Sequence, residues 1–168
     1  EMCIRDRDTL VIDRNNYHTF HALLYQVAAA ELEPEDISYP VRTILRSIPN
    51  ARFQMGEVES IDLENKVVRL AGQVINYDYL ILATGSTSNF FGAVGAQQSA
   101  FELKSLDDAI ALRNHILCCL EQAITATDPG LRRRLLTFVV IGGGPTGVEF
   151  AGALTELMHG PVAKDYPA

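Results

Sequence analysis

A strand, a glycine-rich turn and a helix are predicted in direct succession over residues 137–152, which read TFVVIGGGPTGVEFAG. Phe138–Ile141 is apolar and partly β-branched, and this predicts a parallel strand buried on both faces. Gly142, Gly144 and Gly147 then fall in G-x-G-x-x-G spacing. In a strand–turn–helix unit the first glycine allows a tight turn and the second lets the backbone approach a pyrophosphate, while the third lets the helix lie against the strand.

The residues after the glycines support this interpretation. Val148–Met158 has helix-forming composition, with alanine and leucine side chains available for packing. The N–H groups at its N-terminus and the positive end of its dipole would face the phosphates. A glycine-rich turn without a ligand is the alternative, but strand, glycines and helix in register favour a dinucleotide loop. The residue that selects NAD or NADP is expected about 20 positions after the glycines, beyond Ala168.

Composition and charge exclude several classes of protein. The net charge is −7 and the pI is near 5.0, which argues against nucleic acid as a main partner. No apolar run approaches the ~18 residues that a bilayer-spanning helix needs. The cysteines Cys3, Cys118 and Cys119 form neither a C-x-x-C pair nor a zinc spacing, and His18 and His21 have no suitably spaced partner. We therefore predict no metal site.

Two further apolar segments are predicted to be buried strands. Thr9–Asp13, TLVID, ends in an acidic residue, and in a dinucleotide fold such a carboxylate accepts hydrogen bonds from the adenosine ribose. Asp13 could equally cap a turn, and spacing alone leaves both possibilities open. Tyr77–Gly85, YDYLILATG, leads directly into a glycine. Between them, Phe53–Ala71 predicts a hairpin with its turn at Leu63–Lys66.

Helices are predicted over Leu23–Ala28 and Val41–Ile48. A longer one follows the capping box at Ser105–Asp108 and ends at Asp128-Pro129-Gly130. Arg132–Arg134 are predicted to be a solvated entry to the strand before the glycines, and contact with the 2′-phosphate of NADP is the alternative. Residues 86–100, between the predicted strand at Tyr77–Gly85 and the capping box, are predicted to be a loop.

Several of these stretches resemble one protein family. YDYLILATG followed by FVVIGGGPTGVE is similar to the two-dinucleotide flavoproteins of the pyridine-nucleotide oxidoreductase superfamily. More narrowly, residues 11–42 resemble type II NADH dehydrogenase, the single-subunit NADH:quinone oxidoreductase, as do FELKSLDDAIALRNHI and GGGPTGVEFAGAL. The resemblance implies an α/β, Rossmann-like two-dinucleotide-binding flavoprotein fold, truncated at both ends, with the β-hairpin as an insertion. It implies a partial FAD-binding domain at residues 8–104 and a partial NAD(H)-binding domain at residues 105–168. Residues 1–7 match no element, and we predict that they are a non-native scar.

The resemblance also implies a role for each matching residue. Asp13 would hold the adenosine ribose of FAD, and Ala83, Thr84 and Gly85 would lie along the flavin side of its site. Glu149 would lie near the nicotinamide and the flavin, where the family carries a glutamate linked to hydride transfer and quinone reduction. As an alternative, Glu149 is a helix N-terminal acid favoured by the dipole. The residues implied to cradle the NADH pyrophosphate are Gly142, Gly143, Gly144, Pro145, Thr146 and Gly147.

The implied activity is transfer of hydride from NADH to FAD and of electrons on to a membrane quinone. The implied location is the cytoplasmic face of the cell membrane, with peripheral attachment through a C-terminal region that the sequence lacks, and a homodimer is possible. The family's first FAD glycine motif is expected about 20 residues before Thr9. We therefore expect an internal fragment that is inactive alone.

Two other functions stay open. One is a different FAD and NAD(P)H-dependent reductase with a protein or small-molecule acceptor, although a disulfide reductase is disfavoured because no redox cysteine pair lies near the flavin-side segments. The other is a non-catalytic dinucleotide-binding module, which would keep the glycines without turnover.

Overall fold

The computed structural model describes residues 7–166. Two compact units interleave along the chain. Within the described residues, the first comprises residues 7–18 and 38–86, and the second comprises residues 19–37 and 87–166. The predicted scar at residues 1–7 lies almost wholly outside the described residues, and the predicted division into FAD-binding and NAD(H)-binding parts stays a prediction.

The first unit contains a parallel strand pair. Strand β1, Thr9–Asp13, pairs with β4, Ala51–Met55, in a register that sets Asp13 opposite Met55. The predicted strand at Thr9–Asp13 is therefore present, although it is half-buried rather than buried. Helix α3, Val41–Leu45, precedes β4 and packs against it, as parallel pairing through a crossover requires.

An antiparallel meander completes the first unit. Its strands are β5, Val58–Asp62, β6, Val67–Leu70, and β7, Gln73–Asn76, in the order β5-β6-β7. The predicted turn at Leu63–Lys66 and the second arm of the hairpin are present, and β7 extends the sheet beyond the predicted end. The predicted first arm is divided, because Phe53 and Met55 lie on β4 in the parallel pair and only β5 pairs with β6. Gly72 has φ +71°, which lets the chain reverse tightly between β6 and β7.

Short elements connect the two units. Strand β2, Tyr17–Thr19, pairs with β3, Ser38–Pro40, in a two-stranded sheet. Between these strands lie a single 3-10 turn at His21–Leu23 and the helices α1, Leu24–Ala28, and α2, Pro34–Ile37. The predicted helix at Leu23–Ala28 is therefore confirmed.

The second unit is helical in the described residues and is built around α1. Leu24, Val27 and Ala28 of α1 are almost completely buried, and α1 packs against both of the long helices. Ile116 and Leu120 supply the largest buried side chains of the longest helix. The helices of this unit after residue 87 are α4, Val94–Ser99, α5, Leu106–Thr125, α6, Pro129–Leu135, α7, Pro145–His159, and α8, Pro161–Asp165.

The predicted capping box of α5 is present in both directions. The Asp108 backbone N–H donates to Ser105 Oγ at 3.1 Å, and the Ser105 N–H donates to Asp108 Oδ2 at 2.8 Å. Two of the N–H groups that a helix start leaves without partners are thereby satisfied. An ion pair of 3.2 Å between Arg113 and Glu33 joins α5 to the segment between α1 and α2.

Two predicted strands are absent from the described residues. Tyr77–Gly85 and Phe138–Ile141 have no regular secondary structure, and their apolar side chains are exposed, as at Ile81 (76%), Val139 (80%) and Ile141 (67%). The prediction of buried strands is wrong here because a strand needs a neighbour to take its backbone hydrogen bonds. No strand among residues 7–166 pairs with either segment.

Two helix predictions also need correction. Helix α5 ends at Thr125, and Asp128 starts a new helix instead of closing the old one. Arg132–Arg134 therefore lie on α6 and not at the entry to a strand. The predicted loop at residues 86–100 contains α4.

Candidate dinucleotide-binding loop

The predicted glycine loop leads into the N-terminus of α7. Gly142 has φ +112°, a conformation that side-chain-bearing residues rarely adopt, so glycine is needed there. A Cβ placed on Gly147 would lie 2.3 Å from the Gly142 carbonyl oxygen, which shows that the first turn of α7 is pressed against the loop. The roles predicted for the first and third glycines, a sharp turn and close helix packing, are thus visible in the backbone.

The middle of the loop is open. A Cβ on Gly143 or Gly144 would meet no atom of the chain within 4 Å. Gly144 is the N-cap of α7 and no side chain caps the helix, while Pro145 at the first helical position has no N–H. The next N–H groups of a helix have no intrahelical acceptor and carry the positive end of the dipole. The arrangement can therefore accept a phosphate from the direction of Gly144.

Glu149 lies on the same helix beyond its first turn. It is the fifth residue of α7, and its side chain is exposed with no hydrogen bond or ion pair to the described residues. Dipole stabilisation falls off within the first turn, so this position weakens the structural explanation for an acid there. Its proposed role in the redox centre stays a prediction.

Asp13 ends β1 and caps a turn. Its Oδ1 accepts the Asn15 N–H at 2.8 Å, and its carbonyl accepts the Gly56 N–H at 2.9 Å. Asp13 therefore caps a turn, as one of its two predicted roles requires, and uses one carboxylate oxygen to do so. Oδ2 forms no hydrogen bond with the described residues, so a ribose hydroxyl can still be bound there.

Ala83, Thr84 and Gly85 belong to the first unit together with Asp13, whereas the glycine loop and Glu149 belong to the second. The three residues are exposed and without regular secondary structure, and Gly85 has φ +74° with open space where a side chain would be. Within the described part of the first unit, no hydrogen bond links Asp13 to Thr84.

A groove that the sequence did not predict lies beside the loop. Its volume is about 290 Å³, and small residues of α4 face the apolar segment before the glycines across it. The lining residues are Gly95, Ala96, Ser99, Ala100, Val139 and Ile141. The groove was not predicted because residues 86–100 were predicted to be a loop, whereas α4 forms one of its walls.

The two cysteines of α5 do not form a redox pair. Consecutive Cα atoms are about 3.8 Å apart, closer than the separation found across a disulfide. Burial raises the pKa of the Cys119 thiol, and neighbouring Cys118 raises it further. Cys119 therefore stays protonated and is a poor nucleophile. Cys118 is exposed and accepts a hydrogen bond from the Gln122 amide at 3.1 Å.

Residues 7–166 contain neither a metal-binding cluster nor a membrane-spanning helix. No group of three or more histidine, cysteine, aspartate or glutamate side chains in this range is arranged to hold a metal ion. No helix in the same range combines the length and apolar character needed to cross a bilayer.

The chain matches the family model for pyridine nucleotide-disulphide oxidoreductases over residues 5–162. It therefore belongs to that family. Together with the likeness to NDH2 from Plasmodium falciparum, this match confirms the predicted fold class, a Rossmann-like α/β fold of the two-dinucleotide type.

The resemblance to type II NADH dehydrogenase is also confirmed. The chain is 42% identical over 156 residues to type II NADH:quinone oxidoreductase Ndh of Mycobacterium tuberculosis, covering 90% of this chain and 34% of the relative. It is 33% identical over 172 residues to the external alternative NADH-ubiquinone oxidoreductase of Yarrowia lipolytica mitochondria, covering 95% of this chain and 30% of that one. The chain thus spans about a third of the curated relatives that it matches.

Solved structures of quinone-linked oxidoreductases also resemble this chain. NDH2 from Plasmodium falciparum in complex with NADH has a TM-score of 0.88 and 28% identity, covering 95% of this chain and 34% of that one. The sulfide:quinone oxidoreductase of Aquifex aeolicus has a TM-score of 0.63 and 26% identity, covering 70% of this chain and 27% of that one. Both relatives have the fold of this chain over most of its length.

Proposed function

We propose that this chain is part of an FAD-dependent enzyme that oxidises NADH and passes the electrons to a membrane quinone, a type II NADH dehydrogenase that pumps no protons. The observation that carries the proposal is the loop from Gly142 to Gly147. Its turn, its close helix packing and its open N-terminal face fit a pyrophosphate, and the relatives named for NADH:quinone activity match the chain across it.

The loop would hold NADH through its backbone. The phosphates would approach Gly143 and Gly144, where the chain leaves space, and take hydrogen bonds from the free N–H groups at the start of α7. Binding the phosphates fixes the position of the attached nicotinamide, which must stack against its hydride acceptor. Pro145 and Thr146 belong to this loop as its first helical residues.

The FAD-side residues fit part of a flavin nucleotide. Asp13 keeps one carboxylate oxygen for the adenosine ribose, and Gly85 offers open backbone at the end of the Ala83-Thr84-Gly85 run. When bound, the flavin supplies a two-electron acceptor that can pass electrons on to a quinone. Glu149 would hold or move a proton at its exposed carboxylate near the reacting rings.

The quinone and the location are part of the same proposal. Relatives from a bacterium and from mitochondria are named as quinone or ubiquinone oxidoreductases, as is the Aquifex aeolicus structural relative. A quinone dissolved in the bilayer requires an enzyme at its surface. We therefore propose peripheral attachment to the cytoplasmic face through a C-terminal region, with the homodimer as the oligomeric state.

The test is a spectroscopic and kinetic assay of the full-length protein. We expect a bound flavin whose absorbance is lost on anaerobic addition of NADH and returns on addition of menadione, a soluble quinone. Loss of absorbance that menadione does not reverse would indicate a reductase with another acceptor. A protein that binds NADH but does not oxidise it would be a non-catalytic module, and either result would overturn the proposal.

A further inference from the structure

Arg113 lies on the buried face of α5. The buried side chains of this helix recur at helical spacing and form one continuous face, which consists of Leu106, Ala109, Ile116, Cys119, Leu120 and Ala123. At about 100° per residue, position 113 falls between Leu106 and Leu120 around the helix axis. The Arg113 side chain is accordingly only 20% exposed. An arginine therefore occupies a position where the helical spacing predicts an apolar residue.

The guanidinium group of Arg113 forms an ion pair with Glu33. The two residues are 80 positions apart, and Arg113 Nη1 lies 3.2 Å from Glu33 Oε2. The Glu33 side chain is 75% exposed and stays solvated, so the arginine bears the loss of hydration. An apolar side chain of similar length would avoid this loss, and such replacements of partly buried charges are often neutral or stabilising. Stability alone therefore does not explain an arginine at this position.

The backbone around Glu33 is fixed at the end of α1. The Glu31 N–H donates to the Gln26 carbonyl at 2.8 Å, and Ala30 has φ +57°, the left-handed conformation with which chains commonly leave a helix. The Glu33 N–H donates to Asp36 Oδ2 at 3.0 Å at the start of α2. The ion pair thus joins α5 to an ordered turn, and it holds the C-terminal end of α1 against α5.

Helix α1 in turn supports α7. Among the described helices of the second unit, α5 and α7 each pack more extensively against α1 than against each other. Val27 of α1 is completely buried, and the first buried side chain of α7 is Phe150, one turn after its N-terminus. The glycine loop, Gly142–Gly147, moves with α7 because the first turn of that helix is pressed against it. The position of α1 therefore affects the orientation of the loop.

We propose that Arg113 is a positioning residue for hydride transfer from NADH. Through Glu33 it holds α1 on α5, and through α1 it sets the orientation of α7, whose N-terminus receives the pyrophosphate. A displaced pyrophosphate moves the attached nicotinamide, and hydride transfer is sensitive to displacements of about 1 Å. The inference rests on the proposed oxidation of NADH at the glycine loop, and it adds a residue on a different helix to that site.

The two half-reactions of the full-length enzyme test this role. Arg113→Met removes the charge and keeps a long, unbranched side chain on the buried face of α5. With NADH at saturation and without oxygen, we expect the flavin of this variant to be reduced at least about fivefold more slowly than that of the unaltered enzyme. The affinity for NAD⁺, measured by calorimetry, should fall at least about threefold. Reoxidation of the reduced flavin by menadione does not involve the loop and should be unchanged.

Stability and further variants separate the ion pair from the bulk of the arginine. The melting temperature of Arg113→Met should not fall, because an apolar side chain suits the buried face. Glu33→Gln should slow flavin reduction to a similar degree. The double variant Glu33→Gln with Arg113→Met should be no slower than Arg113→Met alone, since the two side chains act as one unit. Arg113→Lys keeps a charge that can reach the carboxylate and should restore most of the rate. Arg46→Met, at an exposed arginine after α3, is the control and should alter neither half-reaction.

Three results would overturn the inference. If Arg113→Met matches the unaltered enzyme in flavin reduction and NAD⁺ affinity, Arg113 has no positioning role while the proposed function stands. If both half-reactions slow together and the melting temperature falls, the arginine supports the fold in general. If NADH does not reduce the flavin of the unaltered enzyme, the proposed function itself fails, and Arg113 has no hydride transfer to position. Should Arg113→Met not fold, Glu33→Gln at its exposed side chain gives the same test.

Discussion

Gly147 and Gly142 are so close that a Cβ on Gly147 would lie 2.3 Å from the Gly142 carbonyl oxygen and 3.2 Å from its carbonyl carbon. Both atoms are backbone, so neither can swing away as a flexible side chain could. The contact fixes the angle at which α7 leaves the loop, and therefore the direction in which its N-terminal N–H groups point. Only glycine therefore fits at position 147 without moving the loop, whereas a side chain on Gly143 or Gly144 would meet no atom of the chain.

Gly147→Ala should damage the loop in the full-length enzyme. The methyl group must displace the loop from α7, so we expect both a lower melting temperature and a higher KM for NADH. The matched control is Gly152→Ala on the same helix, where a Cβ meets nothing within 4 Å. That change should leave the KM unaltered and raise stability by up to about 1 kcal/mol. Equal behaviour of the two variants would remove the argument for close packing at Gly147.

Gly144→Val tests the phosphate position without disturbing the fold. The residue has φ −75° and open space around its Cβ position, so the chain itself should accept the side chain. The side chain would occupy the space proposed for the pyrophosphate, and we expect the KM for NADH to rise at least tenfold, about 1.4 kcal/mol or more. Flavin content should stay the same. Loss of flavin with an unchanged KM would show that the loop binds the other cofactor.

The loop shows how far the sequence could be interpreted correctly. The positions of Gly142 and Gly147 were predictable because a positive φ and a close helix contact each demand glycine. The strand predicted at Phe138–Ile141 was not observed, because strand formation depends on a neighbouring strand and not on local composition alone. Local sequence signals could not decide whether Asp128-Pro129-Gly130 ends one helix or starts the next, since Asp before Pro suits both a turn and an N-cap.

Glu149→Gln separates a chemical role from a structural one. The substitution keeps the size of the side chain and removes the carboxylate, so we expect kcat to fall while the melting temperature stays within a degree or two. Glu156→Gln, also exposed on α7, is the control and should leave kcat unchanged. Normal turnover in the Glu149 variant would contradict its assignment to the redox centre.

Ser105→Ala should lower the free energy of unfolding without affecting NADH binding at the glycine loop, Gly142–Gly147. The variant loses the hydroxyl that accepts the Asp108 N–H and leaves that donor without a partner at the start of α5. We expect unfolding to require about 1 kcal/mol less free energy, measured by chemical denaturation. Asn114→Ala, on the exposed face of α5, should have no comparable cost. If both variants unfold alike, the capping box contributes nothing measurable.

The 168-residue chain expressed alone should be colourless or insoluble and should not oxidise NADH. The exposed runs at Tyr79–Leu82 and Val139–Ile141 have no strand partner in the described residues, and unpaired apolar segments of this kind favour aggregation. In the proposed arrangement Asp13 would contact only the adenosine ribose of FAD and Ala83–Gly85 only the flavin side, and no residue between 7 and 166 is assigned to the FAD phosphates.

Charge substitutions identify the cause of any insolubility. Ile81→Glu with Ile141→Glu should increase the soluble yield, because each charge interrupts one of the exposed runs. Leu63→Glu, at a 69% exposed turn position outside both runs, should change the yield little. A yellow, monomeric preparation of the unaltered chain, with flavin absorbance at about 450 nm, would contradict the prediction. It would mean that these residues form a complete flavin site, and that the two apolar runs are tolerated in solution without a partner.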